Sequence, residues 1–401
     1  MHIDTLILGA GAAGLMAAAH CGGRVLVVDH ARKPGEKIRI SGGGRCNFTN
    51  IYTSADNFLS ANPHFAKSAL ARYTQWDFID LVDRHGIAWH EKTLGQLFCD
   101  GRSQAIIDML LAELRSAGAD LWLQTEIGTI SRDDAGGFQV ALRRQGEAVT
   151  VHAKNLVLAT GGKSIPKMGA TGLAYQIAQQ FGLPMQPTRP ALVPFTFDEQ
   201  ARERLRPLAG VACPARVAAR EGPAFEEALL FTHRGLSGPA VLQASSYWSA
   251  GEAVQISLCP DTDPLAWLQA ERSAAGQGRK APATVLAGLL PKALAGHLVD
   301  ATGLEGTLAD QSDDSLGRLA KRISGWSVTP SGTEGYRTAE VTAGGICTDA
   351  LDARSLQSRA VPGLFAIGEA VDVTGWLGGY NFQWAWSSAV AAGRAIAANA
   401  A

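Results

Sequence analysis

Several protein classes are excluded by what this chain lacks. Six cysteines in 401 residues contain no C-x-x-C pair, so neither a zinc ribbon nor a dithiol redox motif is signalled. The nine histidines form no H-x-x-x-H pair, and no metal centre is expected. An excess of one charge is missing too. A formal net charge of −1 and a pI near 6.8 give no global positive field that would advertise a nucleic-acid or anionic-membrane partner. No apolar run reaches the roughly 18 residues of a membrane span. The apolar N-terminus is broken by Gly9, Gly11 and Gly14 with no basic segment before it, unlike a signal peptide. A cytoplasmic protein is the expectation. With 46% hydrophobic and 18% charged residues the chain is globular rather than disordered, and 401 residues are long for one core, so two domains are expected.

What the chain has in quantity is glycine, 45 residues of it, so a lone G-x-G-x-x-G would arise by chance. Here the order around it carries the information. A strand-like run at 5–8 enters Gly9-Ala10-Gly11-Ala12-Ala13-Gly14, an alanine-rich helix follows, and a second apolar run, Val25–Val28, ends on Asp29. In such a unit Gly9 permits the tight turn, Gly11 lets a pyrophosphate approach the backbone, and Gly14 allows close helix–strand contact. Phosphate oxygens then meet free N–H groups at the positive end of the helix. The acid about 20 residues on hydrogen-bonds a ribose 2′-OH, so Asp29 favours an adenosine without a 2′-phosphate. The competing reading is an α/β turn that binds nothing; the complete strand–glycine–helix–strand–acid order favours a dinucleotide.

Residues 37–50, KIRISGGGRCNFTN, separate FAD from NAD. Three glycines flanked by Lys37, Arg39 and Arg45 lack the apolar periodicity of a core element, and such a loop can lay its backbone against a second ligand surface. Flavoproteins need loops around the ribityl chain and isoalloxazine ring, whereas a flexible linker fits poorly with Arg, Cys and Asn directly after the glycines. Cys46 is either a buried small apolar residue or a reactive thiol, since the neighbouring Arg45 would lower its pKa.

Helices are predicted over 63–85 and 102–117, with short strands at 89–91 and 96–99. Strand candidates at 120–130, 137–143 and 149–152 resemble a β-meander. The apolar run 155–159 suits the middle of a parallel sheet and ends at Thr160-Gly161-Gly162, beside the ligand crevice. From residue 187 prolines punctuate short β-like runs, which marks a separate module. Within it Ser237 would cap a helix over 239–248, a strand follows at 252–258, and helices cover 264–273 and 282–300. A second glycine-edged strand, 363–367, runs into Gly368-Glu369, and 375–381 leads into a helix over 383–400. The first N–H groups of that helix can face the flavin edge where negative charge develops on reduction, contributing about 0.3–2 kcal/mol. The expected architecture is α/β: a Rossmann-like FAD-binding domain (three-layer ββα, parallel sheet plus meander) formed by 1–187 and 336–401. A β-rich domain, 188–335, is inserted, with a helical piece at about 262–325.

Six segments together, SGGGRCNFTN (41–50), ATGGKSIP (159–166), PALVPF (190–195), LFTHRGLSGPAVLQAS (230–245), VTAGGI (341–346) and the run from Gly363 to Gly393, resemble the HI0933-like flavoproteins, also labelled BaiN/RdsA or the aminoacetone oxidase family. The resemblance covers nearly the whole chain. Residues 170–174 (ATGLA) depart from it, since many relatives carry an acidic–glycine pair after Thr-Gly. By position it implies that Gly9, Gly11, Ala12, Ala13 and Gly14 face the pyrophosphate, with Asp29 and His30 at the adenosine ribose. Lys37, Ser41, Gly42, Gly43, Gly44, Arg45, Cys46 and Asn47 would line the ribityl and flavin side. Ile127 would contribute backbone contacts to the adenine, with Thr160, Gly161 and Gly162 nearby. Gly368, Glu369, Asp372, Gly378, Gly379, Asn381, Phe382 and Gln383 would close over the flavin.

Family members are assigned to saturation of steroid enones and of uridine in ribosomal RNA. The resemblance therefore implies an NAD(P)H-driven FAD oxidoreductase reducing a conjugated C=C bond of a small molecule or nucleobase. Hydride comes from flavin N5 and a proton from a protein acid, for which Cys46, His233 and Tyr380 are the candidates; His233 equally suits a strand-end histidine. No second G-x-G-x-x-G is visible, so NAD(P)H would bind transiently. RNA binding by the inserted domain is a second reading. There Arg202, Arg204, Arg206, Arg216 and Arg220 are interleaved with Glu199, Glu203, Glu221, Glu226 and Glu227, a pattern that also suits a solvated face. An O2-using amine oxidase is the third.

Overall fold

A computed structural model describes residues 1–400 and divides them into two units, one of Met1–Arg189 with the chain from Val341 onward and one of Pro190–Glu340. The first unit is built on a seven-stranded sheet. Asp120–Trp122, Val25–Val28, His2–Leu8 and Glu147–Leu158 pair side by side in parallel, and Leu364–Ala366 adds in parallel to the far edge of Glu147–Leu158. Their runs of Leu, Ile and Val are buried on both faces, as a helix-covered parallel sheet requires. The helices Ala12–Ala18, Gln104–Ser116 and Tyr380–Ala400 supply that cover.

Glu147–Leu158 is one strand where the sequence suggests two, at 149–152 and 155–159. Its first half pairs antiparallel with Phe138–Arg144, which pairs with Thr125–Arg132 as the meander, while its second half joins the parallel sheet. The expected strand 120–130 is instead divided. Gln124 takes a positive φ of 51° and turns the chain from the parallel sheet into the meander. The expected helix 63–85 breaks into Ala66–Arg72 and Gln75–Arg84, because Thr74 and Asp77 form a reciprocal capping box that starts a new helix. Short strands Trp89–Glu91 and Gln96–Cys99 lie where the sequence puts them and pair with each other, Gln96–Cys99 pairing on its other edge with Asn47–Asn50.

The second unit holds an antiparallel seven-stranded sheet in the order Trp326–Val328, Val254–Ser257, Ala212–Ala218, Phe225–Phe231, Gly235–Ser237, Phe195–Thr196, Gly332–Thr333. Pro264–Ser273 forms as expected, while 282–300 is interrupted and gives Pro282–Leu286 and Lys292–Thr302. The intervening Pro291 lacks the N–H that a continuous helix would need there. Ser237 does not cap Pro239–Ser245. Gly238 does, at a φ of 91° that glycine alone takes without strain.

Candidate functional site

The first glycine loop is shaped from within. A methyl at Gly9 would stand 2.5 Å from the Ala159 carbonyl oxygen, and one at Gly14 would stand 1.9 Å from that of Gly9. Gly11 differs. Its φ of −83° suits any residue, and a methyl there would meet no atom of the chain within 4 Å. Neither sterics nor conformation explains it, whereas a ligand that must touch the backbone does. The N–H groups of Ala12, Ala13 and Gly14 precede the helix's own first bond, from Leu15 N–H to Gly11 O at 3.0 Å, and point out of the helix end. The loop therefore fits a pyrophosphate.

Asp29 follows Val25–Val28, and both its carboxylate oxygens accept from the chain, Oδ2 from Ala10 N–H at 2.7 Å and Oδ1 from Ala31 N–H at 2.8 Å. It braces the loop, and each oxygen keeps a lone pair for a ribose hydroxyl. Next to it His30 is exposed, its ring against Gly169. Thr125 N–H donates to the Asp29 carbonyl at 2.9 Å, so the meander strand that carries Ile127 starts from the same corner. Ile127 is half-buried at a register shift of that strand, where the backbone departs from regular pairing.

Three distant segments converge on Glu369. Its carboxylate pairs with the Lys37 ammonium at 2.6 Å and accepts from Ser164 Oγ at 2.9 Å and from Thr342 N–H at 2.9 Å. Lys37 also donates to Ser164 Oγ at 2.6 Å, and Thr342 Oγ1 accepts from Lys163 and Ser164 N–H. Burial alone, the largest single influence, would raise the Glu369 carboxyl, but the charge and hydrogen bond of Lys37 together with Ser164 and Thr342 hold it below the usual range. Gly162 lies so close that a side chain would strike Thr342 Oγ1 at 2.4 Å, and Gly161 adopts a φ of 72°. Thr160 Oγ1 accepts from Ala174 N–H at 3.1 Å. Gly368 approaches Ala13, a methyl there standing 3.0 Å from its Cβ, so the C-terminal segment reaches the first glycine loop.

The second glycine loop leaves Gly42 and Gly43 exposed. Ser41 Oγ donates to Ile38 O at 2.8 Å; a methyl at Gly42 would collide with Phe98, but around Gly43 and Gly44 there is open space to 3.8 Å or beyond. Arg45 is exposed. Cys46 is not the activated thiol its neighbour suggests. Its side chain is fully buried, and burial pushes the thiol up strongly, so it is held protonated rather than as a thiolate. The Asn47 amide lies 3.2 Å from Gly379 N–H and 3.1 Å from the Thr49 and Leu97 carbonyls, which assigns its oxygen to Gly379.

The C-terminal helix begins at Tyr380, three residues before the expected start. Gln383 is accordingly an interior residue of that helix. Fully buried, it accepts from Thr49 Oγ1 at 2.6 Å and donates to Tyr73 O and Ser387 Oγ, with its N–H bonded to Gly379 O. The helix-end N–H groups that precede the first internal bond belong to residues such as Asn381 and Phe382. The Asn381 side chain is spent on Gly375 and Trp376, pinning the turn, and Phe382 stacks on Trp386. Tyr380 is buried, edge-on to Phe58 and Trp376. Gly378 takes a φ of 109° against Gln96. Asp372 is buried and accepts from Ala61 N–H at 2.9 Å; burial raises its carboxyl, against the Ala61 and Ser60 hydrogen bonds and the Arg189 charge. His233 lies in the other unit, exposed on the turn between Phe225–Phe231 and Gly235–Ser237.

Ser164 and Thr342 belong to the site and were not singled out in the sequence, although a threonine inside the apolar strand Val341–Ile346 is a visible signal. Among the described residues no three His, Cys, Asp or Glu side chains gather as a metal site, and no helix is long and apolar enough to cross a membrane.

The HI0933-like protein Rossmann domain family matches residues 3–395. A ribosomal RNA dihydrouridine synthase of Escherichia coli (strain K12) is 51% identical over 397 residues, 97% of this chain and 96% of that one. A 3-dehydro-bile acid delta(4,6)-reductase of Clostridium scindens is 29% identical, covering 98% of each. Among solved structures, a 3-ketosteroid delta1-dehydrogenase from Sterolibacterium denitrificans has the same fold at a TM-score of 0.52 and 14% identity, over 99% of this chain and 100% of that one.

Proposed function

The chain belongs to the HI0933-like Rossmann-domain family, and on that premise we propose that it is an FAD-dependent enzyme saturating the C5=C6 bond of uridine in ribosomal RNA. The observation that carries this reading is 51% identity, across 97% of the chain, with a protein named for that reaction. The more distant bile-acid reductase relative fits the same chemistry, because both names describe two hydrogens added across a carbon–carbon double bond.

Bound FAD supplies the hydride, and a nicotinamide dinucleotide replaces the electrons. The chain's part is to hold and shield. Gly11 and the N–H groups of Ala12, Ala13 and Gly14 receive the pyrophosphate, and Asp29 the ribose. The Lys37–Glu369 pair fixes the segments that flank the ring side, and the start of Tyr380–Ala400 offers N–H groups where negative charge develops. The second hydrogen is a proton delivered to the carbon beside the carbonyl, with Tyr380 as the candidate donor within the cofactor unit.

The test is anaerobic. FAD-loaded protein mixed with NADH or NADPH should lose flavin absorbance at about 450 nm, and ribosomal RNA from cells lacking the enzyme should then gain the mass of two hydrogens at one uridine. Absence of bleaching by either nucleotide removes the nicotinamide half of the reading. Steady hydrogen peroxide release with no gain of mass in RNA would replace the reductase by an oxidase.

A further inference from the structure

We propose that a cluster of cations beside the second glycine loop, in the cofactor unit, holds the phosphate backbone of the RNA. This rests on the dihydrouridine reading and adds where the polyanion is gripped. Arg32, Lys33, Arg45 and Arg102 are exposed and Arg39 is half-buried. Their segments are tied together. Ser103, next to Arg102, donates its N–H to Gly44 O at 2.8 Å and its hydroxyl to Arg39 O at 3.0 Å; Cys99 N–H donates to Arg45 O at 3.1 Å, and the Arg39 guanidinium reaches Gln104. Arg32 and Lys33 precede the turn into Glu36–Ile40, the helix that carries Arg39.

Among the described residues none of these five cations is in an ion pair, and the Arg39 Nε is buried with no partner. Two of the acids on the same segments are hydrogen-bonded to neighbours, and the third is half-buried. Asp100 bonds His90 at 2.6 Å, Asp108 accepts from Gln104 at 2.7 Å, and Glu36 is half-buried in its helix. Of the five arginines that seemed the alternative, in the inserted unit, three are in ion pairs, Arg206 with Glu203, Arg216 with Glu226 and Arg220 with Glu252, and Arg202 and Arg204 stand among the acids Glu199 and Glu203 on one short helix. An array of unpaired guanidinium groups is complementary to successive phosphates. Ile40, 46% exposed beside Arg39, offers an apolar surface for an unstacked base. The array is also continuous with the candidate cofactor cradle through Arg45, Cys46 and Asn47, whose amide meets Gly379. A strand gripped there keeps a splayed base near the reactive side.

The test uses the full-length, FAD-loaded protein and its Arg32→Gln/Lys33→Gln/Arg102→Gln variant, which spares Arg39 and Arg45. Binding to a fluorescein-labelled single-stranded oligouridylate of about 20 nucleotides is titrated over a range of salt. Each lost phosphate contact removes about 0.7 from the slope of log K against log salt, so the triple variant should lose about 2 and bind at least about tenfold more weakly at low salt. Its flavin content, thermal midpoint and bleaching by nicotinamide should match wild type, and Arg202→Gln/Arg204→Gln should bind as wild type does. An unchanged slope in the triple variant, with wild type still forming dihydrouridine in ribosomal RNA, overturns the surface and leaves the function standing. Wild-type protein that neither binds the oligomer nor modifies ribosomal RNA overturns both.

Discussion

The two glycine loops of the cofactor unit carry three glycines each and follow opposite logic. In the first, Gly9 and Gly14 are demanded by neighbouring backbone, and only Gly11 is left for something outside the chain. In the second, Gly42 alone is crowded, by the Phe98 ring and the Asn47 backbone nitrogen, while Gly43 and Gly44 stand in open space at φ of 66° and 86°. The first loop is locked by sterics, and the helix leading into the second is anchored by charge, through Lys37 and Glu369. A rigid loop suits a pyrophosphate, which is the same in every turnover. A loop tethered at one end suits the side where substrates come and go.

Substitutions break this contrast in a graded way. Gly14→Ala has the largest effect, since its methyl would overlap the Gly9 carbonyl; we expect a loss of about 3 kcal/mol or more, measured by denaturant unfolding of the apoprotein. Lys37→Met comes next. It leaves the Glu369 carboxyl without its cation, at a cost of about 2 kcal/mol, moderated because the pair is partly open to solvent. Because Glu369 is held below its ordinary value of 4.5, the wild-type advantage is complete above that pH and disappears as pH falls through the lowered value. A difference between the two proteins that persisted unchanged into acid would show that charge does not anchor the second loop. Gly11→Ala should be the mildest for folding, within about 0.5 kcal/mol of wild type, yet FAD affinity measured by fluorescence quenching should fall at least about tenfold. An equal loss of stability at Gly11 and Gly14 would erase the distinction between internal and external demand.

The parallel sheet was legible because its strands announce themselves locally: Val25–Val28 is an unbroken apolar run, and so is the end of Glu147–Leu158. Trp89–Glu91, Gln96–Cys99 and the helix Pro264–Ser273 also form where the sequence puts them. The breaks were not. Tyr73 ends one helix and Thr74 caps the next, and nothing apolar in 63–85 records it. Side-chain roles that depend on a partner far along the chain were the hardest. The proximity of Arg45 to Cys46 in sequence suggested an activated thiol, but the strand that starts at Asn47 turns that side chain into the core. Gln383 carries the polarity of a ligand, yet Thr49 and Tyr73 consume it from segments more distant than any local pattern reaches. Ser164 and Thr342 escaped notice because only their meeting at Glu369 gives them a role.

The strand Glu147–Leu158 has a consequence for how the protein is made. Half of one edge is satisfied at once by Phe138–Arg144, but the other half waits for Leu364–Ala366, which lies far along the chain beyond the inserted unit. Until those residues leave the ribosome, the nascent sheet presents bare peptide groups flanked by hydrophobic side chains, and the intervening antiparallel unit has already been synthesised. Expression yield should therefore be governed less by final stability than by how well that unfinished margin is protected during elongation.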